Sequence, residues 1–373
     1  MTPTAMDRSG RAAFDARMMR LALGIARRGL GRTAFNPSVG AVIADDVTGE
    51  VIACGWTQPG GRPHAEKEAL RHAGNRARGK TMYVTLEPCA HTGRVPTCAD
   101  AVLTAGLKRL VCAIADPNEI IAGRGFEQLV EAGAGVEVGL LSAEARWITA
   151  GHILNALQGR PFVQLKLAVS ADGRIAAGTG TAPVWVTGPQ ARSYGHWLRA
   201  QADAIIVGVG TILADDPDLT CRLPGLAERS PLRVVLDTHL RTPAMARVAQ
   251  GLPTLIFTGP DIAPDATCGT AKIEALPPGP DPLAVLRRLV KDPIRRVLIE
   301  GAPSVAQSFL AADLVDEVVL FRGPKTLGDT GFAPLGDRGL APFDGAGWSR
   351  VRERAIGPDT MIVYRRHRPG VLT

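Results

Sequence analysis

The first 158 residues alternate between short continuous apolar runs and segments with helical periodicity. Runs such as VGAVIA and MYVTL are typical of strands buried on both faces. The pattern predicts helices at about 12–29, 65–74, 98–106, 123–133 and 142–157, and strands at about 39–45, 50–56, 81–86, 109–114 and 135–138. Strands that alternate with helices indicate an α/β fold with helices on both faces of the sheet.

A second series of elements begins after Gly159-Arg160-Pro161. Glycine is the usual residue just past a helix end, and a following proline cannot continue the helix. The strand-like run FVQLKLAVS comes next. We therefore predict two α/β domains, residues 1–158 and 159–373, each long enough to bury a core of its own.

Composition and charge narrow the class of protein. Hydrophobic residues make up 46% of the chain and charged residues 21%, which excludes global disorder. No apolar run approaches a membrane span, and no signal-peptide pattern is present, so we expect a cytoplasmic protein. The net charge of +7 is concentrated in the first 40 residues, where seven arginines face two aspartates.

This arginine-rich segment has two interpretations. Phe14, Met18, Leu21 and Ile25 recur at helical spacing, which favours an amphipathic helix packed on the first domain over an organelle transit peptide. A polyanion partner would require a basic stripe, with aromatic residues if it were single-stranded. The one arginine-rich segment here contains a single aromatic residue before Phe35, so we predict no nucleic-acid partner. We predict no membrane partner either, because no apolar run is long enough to span a membrane.

The strongest chemical signal is His64-Ala65-Glu66 followed by Pro88-Cys89 and then Cys98. One histidine and two cysteines are three suitable zinc ligands, and a catalytic zinc keeps its fourth position for water. Glu66 lies near enough in sequence to exchange protons with that water. Zinc nucleobase deaminases carry H-x-E…P-C-x-x-C, whereas eight residues separate the cysteines here. The alternative is a histidine beside two loop thiols that bind no metal.

The other four cysteines do not suggest disulfide bonds in a chain of this length. They lie in apolar or mixed stretches and are expected to be small core residues or unreactive surface thiols: Cys54, Cys112, Cys221 and Cys268.

The loop C-A-H-T-G-R-V-P-T-C resembles the C-x-H-x-G-R-x-P-x-C stretch of the bifunctional riboflavin-biosynthesis deaminase/reductase family. The segments NPSVG, TLEPC, DPN and GRG also occur in that family's order. The resemblance implies a cytidine-deaminase-like three-layer α/β/α domain. It also implies that zinc hydroxide deaminates 2,5-diamino-6-(5-phosphoribosylamino)pyrimidin-4(3H)-one to 5-amino-6-(5-phosphoribosylamino)uracil.

The same resemblance assigns roles to individual residues of the first domain. One Zn²⁺ per chain would be bound by His64, Cys89 and Cys98, and Glu66 would be the catalytic proton shuttle. The substrate-binding residues that it implies are Asn36, His91, Asp116 and Asn118.

The second domain contains no complete G-x-G-x-x-G, but two glycine turns follow apolar strands. Gly208-Val209-Gly210-Thr211 follows ADAIIV, and Glu300-Gly301-Ala302-Pro303-Ser304 follows RRVLIE. Backbone N–H groups at such turns could hold the phosphates of a cofactor, and the alternative is an ordinary strand-to-helix turn.

These turns lie in segments that resemble the reductase half of the same family, which is similar in fold to dihydrofolate reductase. The matching stretches include K-x3-S-x-D-G, LRA and DDP-x-LT-x-R. The resemblance implies that NADPH reduces the ribosyl group to the ribityl form. The NADPH contacts that it implies are Val169, Trp185, Thr211, Asp215, Thr238, Ala302, Pro303 and Ser304. The substrate contacts that it implies are Lys166, Pro183, Arg199, Leu219, Arg222 and Glu300.

Two other functions remain open at this point. A tRNA-adenosine deaminase with an appended domain would explain the zinc pattern and the basic charge, but not the long Cys–Cys loop. A structural zinc in a nucleic-acid-binding module would need a fourth protein ligand, for which Glu66 and His91 are the only evident candidates. We predict the bifunctional enzyme, acting on a phosphoribosylated pyrimidine and assembled as a homo-oligomer.

Overall fold

Two compact units make up the chain in a computed structural model: Met1–Gly159 together with Pro369–Thr373, and Arg160–Arg368. The structure describes residues 8–90, 96–118, 121–176, 185–276, 281–301, 303–337, 339–343, 345 and 347–372. None of the helices in these ranges is long and apolar enough to cross a membrane.

The first unit is built on a five-stranded sheet. Its strands are β1 (Gly40–Ala44), β2 (Val51–Trp56), β3 (Thr81–Val84), β4 (Arg109–Cys112) and β5 (Gly135–Val138), in the order β2-β1-β3-β4-β5. Its helices are α1 (Arg8–Ala26), α2 (Ala65–Ala73), α3 (Cys98–Thr104), α4 (Arg124–Glu131), α5 (Ser142–Ile148) and α6 (Ala150–Gln158). Strands β1–β2 and β1–β3 pair antiparallel, whereas β3, β4 and β5 are parallel.

Two glycines show that helices cover both faces of this sheet. A Cβ atom on Gly40 would overlap the backbone of α1 at Ala22, and one on Gly55 would overlap α2 at Ala65. Gly55 lies opposite Ala41 in the antiparallel pair, so it shares a face with Ala41 and not with Gly40. Helices α1 and α2 therefore lie on opposite faces, which gives the predicted α/β/α layering.

The arginine-rich segment forms α1, which packs on this sheet as predicted. Phe14, Met18 and Ile25 are buried, whereas Leu21 is exposed. The buried Asp15 on α1 accepts hydrogen bonds from Tyr83 Oη (2.5 Å) and Arg109 Nη2 (2.6 Å). These bonds tie the helix to β3 and β4.

The structure differs from the sequence prediction at one helix. The pattern predicts a single helix over residues 142–157, but α5 and α6 are separate helices that meet at Thr149. The backbone there has φ −88° and ψ 4°, outside the helical range, so the chain changes direction.

The second unit has a nine-stranded sheet in the order β11-β10-β9-β8-β12-β6-β13-β17-β16. The strands of this sheet are β6 (Phe162–Val169), β8 (Ala204–Gly208), β9 (Leu232–Leu236), β10 (Thr254–Thr258), β11 (Lys272–Ala275), β12 (Arg296–Ile299), β13 (Glu317–Arg322), β16 (Trp348–Ile356) and β17 (Asp359–Arg366). Outside it, β7 (Ile175–Ala176) pairs with β14 (Gly331–Phe332), and β15 (Pro334–Asp337) follows. Strands β11 to β13 in this order are parallel, and β17 and β16 are antiparallel.

Helices cover both faces of this sheet as well. They are α7 (Pro189–Arg199), α8 (Val209–Asp215), α9 (Pro282–Leu289) and α10 (Pro303–Ala311). Ile206 of β8 packs in one hydrophobic cluster with α9 and α10, and its neighbour Ile205 packs in another with α7 and α8. The two clusters are the two sides of the sheet, since successive strand residues point to opposite faces.

Candidate active sites

Three potential metal ligands converge in the first unit. His64 Nδ1 lies 3.7 Å from Cys89 Sγ and 3.3 Å from Cys98 Sγ, and the three ligand atoms lie within 4.8 Å of one another. Within the described ranges, this is the only group of three or more His, Cys, Asp or Glu residues that could hold a metal ion.

Local sequence explains how these ligands are positioned. His64 precedes the first turn of α2, and Cys98 is the first residue of α3. Thr97 and Asp100 form a capping box, because each side chain bonds the other's backbone N–H, and this fixes the start of α3. Cys89 follows β3 by five residues, so one strand and two helix ends bring the ligands together.

The chemistry of these residues fits a zinc ion. Hydrogen bonds from Cys98 and His64 lower the pKa of the Cys89 thiol to about 4, against the opposing effect of burial. The thiolate is the form that binds metals. One imidazole and two cysteine sulfurs form a three-ligand set of the kind that catalytic zinc sites use, with one position left for water.

Glu66 lies in the first turn of α2, beside these ligands, and is only 3% exposed. Burial raises the pKa of Glu66 to about 7, although nearby His64 opposes the shift. A carboxyl group that titrates near neutral pH can both accept and donate a proton. The position of Glu66 therefore supports the predicted role of proton shuttle.

A cavity of about 150 Å³ connects Glu66 with the predicted substrate residues Asn36 and Asp116. Its lining residues are Phe35, Asn36, Pro37, Val39, Thr57, His64, Glu66, Leu86, Glu87, Cys89, Asp116, Ile121 and His152. Asn118 is adjacent, and its backbone N–H donates to Asp116 Oδ1 at 2.9 Å. His91 lies outside the described residues.

Glu87 has a role in this cavity that the sequence did not reveal. Its buried carboxylate accepts hydrogen bonds from the backbone N–H groups of Asp116 (3.1 Å), Gly123 (3.1 Å) and Gly125 (3.0 Å). Glu87 thus fixes the Asp116 turn and the start of α4 relative to β3. Glu87 belongs to the TLEPC segment. Its partners are backbone N–H groups, which almost every residue type carries, so no sequence pattern could have predicted this role.

His152 is a second residue that the sequence analysis missed. It lies on α6 and lines the Glu66 cavity, and its Nε2 is 3.3 Å from each carboxylate oxygen of Asp116. The contact joins residues 36 positions apart in the chain. A single histidine in an otherwise ordinary helix gives no signal of such a partner.

The predicted cofactor residues of the second unit gather at one edge of its sheet. Val169 ends β6, Thr211 lies in the first turn of α8 after β8, and Thr238 follows β9. Glu300 follows β12 directly. Because β9, β8, β12 and β6 are adjacent and parallel, their carboxyl ends meet at the same edge, the usual place for ligands in such sheets.

The two glycine turns lie against each other at this edge. Gly301 has φ +93°, and a Cβ atom there would overlap the Thr211 side chain. A Cβ atom on Gly208 would approach Val305 Cγ2 of α10 to 2.9 Å. Gly301 therefore requires glycine, and a side chain on Gly208 would displace Val305. Backbone N–H groups at turns of this kind are suited to binding phosphates.

The remaining cofactor candidates lie on other segments of the second unit. Trp185 is 53% exposed, and the Arg192 guanidinium lies 4.9 Å from its ring centroid. Asp215 is the last residue of α8, and Pro303 and Ser304 begin α10. The cofactor candidate Ala302 and the substrate candidate Pro183 lie outside the described residues.

Arg199 and Glu300, both predicted substrate contacts, bind each other. Arg199 Nε and Nη2 donate to the two Glu300 oxygens at 2.9 and 3.0 Å, and Nη1 donates to the Thr220 carbonyl at 3.0 Å. Burial would raise the pKa of Glu300, but the charges of Arg199 and Lys166 more than offset it and hold it at about 2. Burial lowers the pKa of Lys166. The three side chains form one charged cluster.

Two further predicted substrate contacts, Leu219 and Arg222, lie within the described residues and differ in burial. Leu219 is buried and has φ +58°, an uncommon conformation for leucine. Arg222 is exposed and lies 3.8 Å from Asp218. The structure thus places a buried backbone turn and a surface cation next to the cluster.

Comparisons with known proteins find matches to both units of the chain. A family model of the cytidine and deoxycytidylate deaminase zinc-binding region matches residues 12–114, and one of the RibD C-terminal domain matches residues 161–361. The "Riboflavin biosynthesis protein RibD" of Aquifex aeolicus is 38% identical over 85% of this chain and 88% of its own length. The chain belongs to the RibD family.

Other RibD proteins cover nearly the whole chain. The Escherichia coli protein is 38% identical over 93% of this chain and 98% of its own. The solved Thermotoga maritima deaminase/reductase has 32% identity and a TM-score of 0.83, over 95% of this chain and 99% of its own. Acinetobacter baumannii RibD (form 1) has 33% identity and a TM-score of 0.81, over 96% of this chain and 100% of its own.

Membership of the RibD family confirms the predicted fold, the predicted activity class and the predicted class of substrate. The chain has a cytidine-deaminase-like domain followed by a reductase domain similar to dihydrofolate reductase. It is a bifunctional enzyme of riboflavin biosynthesis, with a zinc-type deaminase site and small-molecule pyrimidine substrates. The RibD C-terminal domain over residues 161–361 rejects the tRNA-adenosine deaminase and the structural-zinc module.

Proposed function

We propose that the first unit deaminates 2,5-diamino-6-(5-phosphoribosylamino)pyrimidin-4(3H)-one, and that the second unit reduces the ribosyl group of the product with NADPH. The observation that carries this proposal is the group of His64, Cys89 and Cys98 beside buried Glu66. His64, Glu66 and Cys89 share a cavity with Asn36 and Asp116, where a pyrimidine ring can be oriented by hydrogen bonds.

The deamination assigns tasks to the grouped metal ligands and to the main polar residues of the cavity. His64, Cys89 and Cys98 would hold a Zn²⁺ ion, which supplies Lewis-acid activation of a water molecule. Glu66 accepts a proton from the attacking water and delivers it to the departing amino nitrogen. The water oxygen replaces that nitrogen on the ring, and ammonia leaves. Asp116, held by Glu87 and His152, orients the ring for attack.

The reduction uses the carboxyl edge of the second sheet. The bond between C1′ and the ribose ring oxygen breaks, NADPH would supply a hydride to C1′, and the released ring oxygen takes up a proton from water to complete the ribityl chain. We assign cofactor contacts to Val169, Trp185, Thr211, Asp215, Thr238 and residues 302–304. We assign substrate contacts to Lys166, Pro183, Arg199, Leu219, Arg222 and Glu300. The cationic members suit a phosphorylated substrate, since arginine pairs well with phosphate oxygens.

Two assays on the purified full chain test this function. Ammonia release from the diaminopyrimidine substrate should occur without NADPH, and NADPH oxidation should follow only once deaminated product is present. We expect NADPH to be preferred to NADH. Equal kcat/KM for the two cofactors would contradict the cofactor assignment, and ammonia release that requires NADPH would contradict the order of steps. Homo-oligomeric assembly and cytoplasmic location stay predictions.

A further inference from the structure

A second cavity adjoins the deaminase site of the first unit. Its volume is about 360 Å³, and it shares His64 and Cys89 with the Glu66 cavity. The other lining residues are Arg62, Pro63, Lys67, Pro96 and Thr97. We propose that this second cavity binds the 5′-phosphate of the deaminase substrate through Arg62 and Lys67. The inference rests on the proposed deaminase function.

The two cavities differ in the charge of their walls. The Glu66 cavity has three carboxylic acids, Glu66, Glu87 and Asp116, which would repel a phosphate dianion. The second cavity has two cationic side chains, Arg62 and Lys67, and no carboxylate among its described lining residues. The charge pattern therefore assigns the uncharged pyrimidine ring to the first cavity and the phosphate to the second.

Lys67 is close enough to Asp100 to interact with it electrostatically, but no carboxylate is bonded to either cation in the described residues. Neither Arg62 nor Lys67 forms an ion pair within the described part of the chain, whereas Arg71 on the same helix as Lys67 pairs with Glu68 at 2.7 Å. Lys67 Nζ donates to the Pro96 carbonyl at 2.5 Å, which holds the ammonium group at the cavity wall. An ammonium group has three hydrogens, so two can reach a phosphate oxygen.

The connection between the cavities matches the shape of the substrate. The phosphate is separated from the reacting ring by a ribose, so the two ends need adjacent but distinct subsites. His64 and Cys89 form the common wall of the cavities, so a ring beside Glu66 leaves the ribosyl arm directed past these two residues.

The test compares the phosphorylated substrate with its dephosphorylated form by ammonia release from the full-length, zinc-loaded protein. We expect Arg62→Gln and Lys67→Gln each to raise KM for the phosphorylated substrate roughly tenfold, as for a lost charge-assisted hydrogen bond. KM for the dephosphorylated form should stay unchanged. Arg71→Gln is the matched control and should change neither value, since Arg71 lines neither cavity. Ribose 5-phosphate should inhibit the wild type competitively and the double variant much less.

The outcomes separate this inference from the proposed function. No ammonia from either substrate with the wild-type protein would reject the deaminase function itself. A wild-type protein that deaminates both forms with equal kcat/KM would reject only the phosphate subsite. Variants that lose activity equally on both forms would also reject the phosphate subsite, because a merely structural defect lowers both rates and leaves their ratio unchanged.

Discussion

Glu66 and Glu300 are both buried carboxyl groups, one in each unit, and they behave in opposite ways. Glu66 is 3% exposed, and burial raises its pKa to about 7. Glu300 is 8% exposed, but the bidentate bond with Arg199 and the charge of Lys166 hold its pKa at about 2. Burial therefore acts to raise the pKa of both carboxyl groups, and the cations beside Glu300 reverse that effect there.

The difference follows the chemistry of the two units. Hydrolytic deamination needs a group that takes and returns a proton, so a carboxyl group without a cation bonded to it is suitable. A hydride transfer to a phosphorylated substrate needs fixed charges that orient it, and the Arg199–Glu300 pair supplies a charged group that does not titrate. Substitutions at these two positions should therefore have different kinetic signatures.

The largest effect is expected for Glu66→Gln. The amide keeps the size of the side chain but cannot carry the proton, so deamination should fall by about 10²–10⁴-fold. Zinc content, measured by metal analysis, should stay at about one ion per chain, because Glu66 is not one of the three grouped ligands. NADPH oxidation with deaminated substrate is the control. Loss of the metal together with the activity would show that Glu66 is a ligand.

Arg199→Ala should affect only the second unit. It leaves Glu300 buried beside Lys166 without its bidentate partner, and breaking a buried pair in this way costs about 3–5 kcal/mol of folding stability. We expect a higher KM for the reduction and a lower temperature for thermal loss of NADPH oxidation. Ammonia release should keep the wild-type rate. An unchanged KM for reduction would place the phosphate elsewhere, and loss of deamination would contradict the assignment of sites to units.

A smaller effect is expected for His152→Phe, which removes the side-chain partner of Asp116. The Asp116 backbone N–H still donates to the Glu87 carboxylate, and Asp116 Oδ1 still accepts from the Asn118 backbone N–H, so the turn should persist while the carboxylate gains freedom. We expect KM for deamination to rise roughly tenfold, the scale of one lost hydrogen bond to a charged group. His72→Phe is the control, because His72 is exposed on α2 and lines neither cavity. Equal effects of the two substitutions would show that His152 does not position Asp116.

These residues also show what the sequence could and could not predict. The zinc ligands and Glu66 lie within 35 residues on the ends of adjacent elements, so their spacing carries the signal. Glu87 acts through backbone N–H groups, and His152 acts across 36 residues, so neither contact leaves a local pattern. In the second unit, the insertion of β12 between β8 and β6 depends on strand pairing over more than 90 residues, which periodicity cannot specify.

The C-terminal segment gave no sequence signal either, and it leads to the prediction with the smallest kinetic effect. Pro369–Thr373 belongs to the first unit, where Leu372 is fully buried and Arg146 Nη1 donates to the Val371 carbonyl at 3.3 Å. Leu372→Ala should therefore destabilise the first unit by about 2 kcal/mol, the lower end of the range for a buried leucine. The rate of ammonia release at 25 °C should not change.

The measurement is the thermal inactivation of each activity in the same protein. Ammonia release by the Leu372→Ala protein should be lost at a lower temperature than in the wild type, while NADPH oxidation should be lost at the same temperature. Leu157→Ala is the matched control, because Leu157 lies on α6 and is 48% exposed.

We propose that the activities can be separated near residue 160. A chain ending there should release ammonia but inactivate as early as Leu372→Ala or earlier, since it lacks the whole segment. Wild-type heat resistance of that fragment would show that the C-terminal segment does not stabilise the deaminase unit.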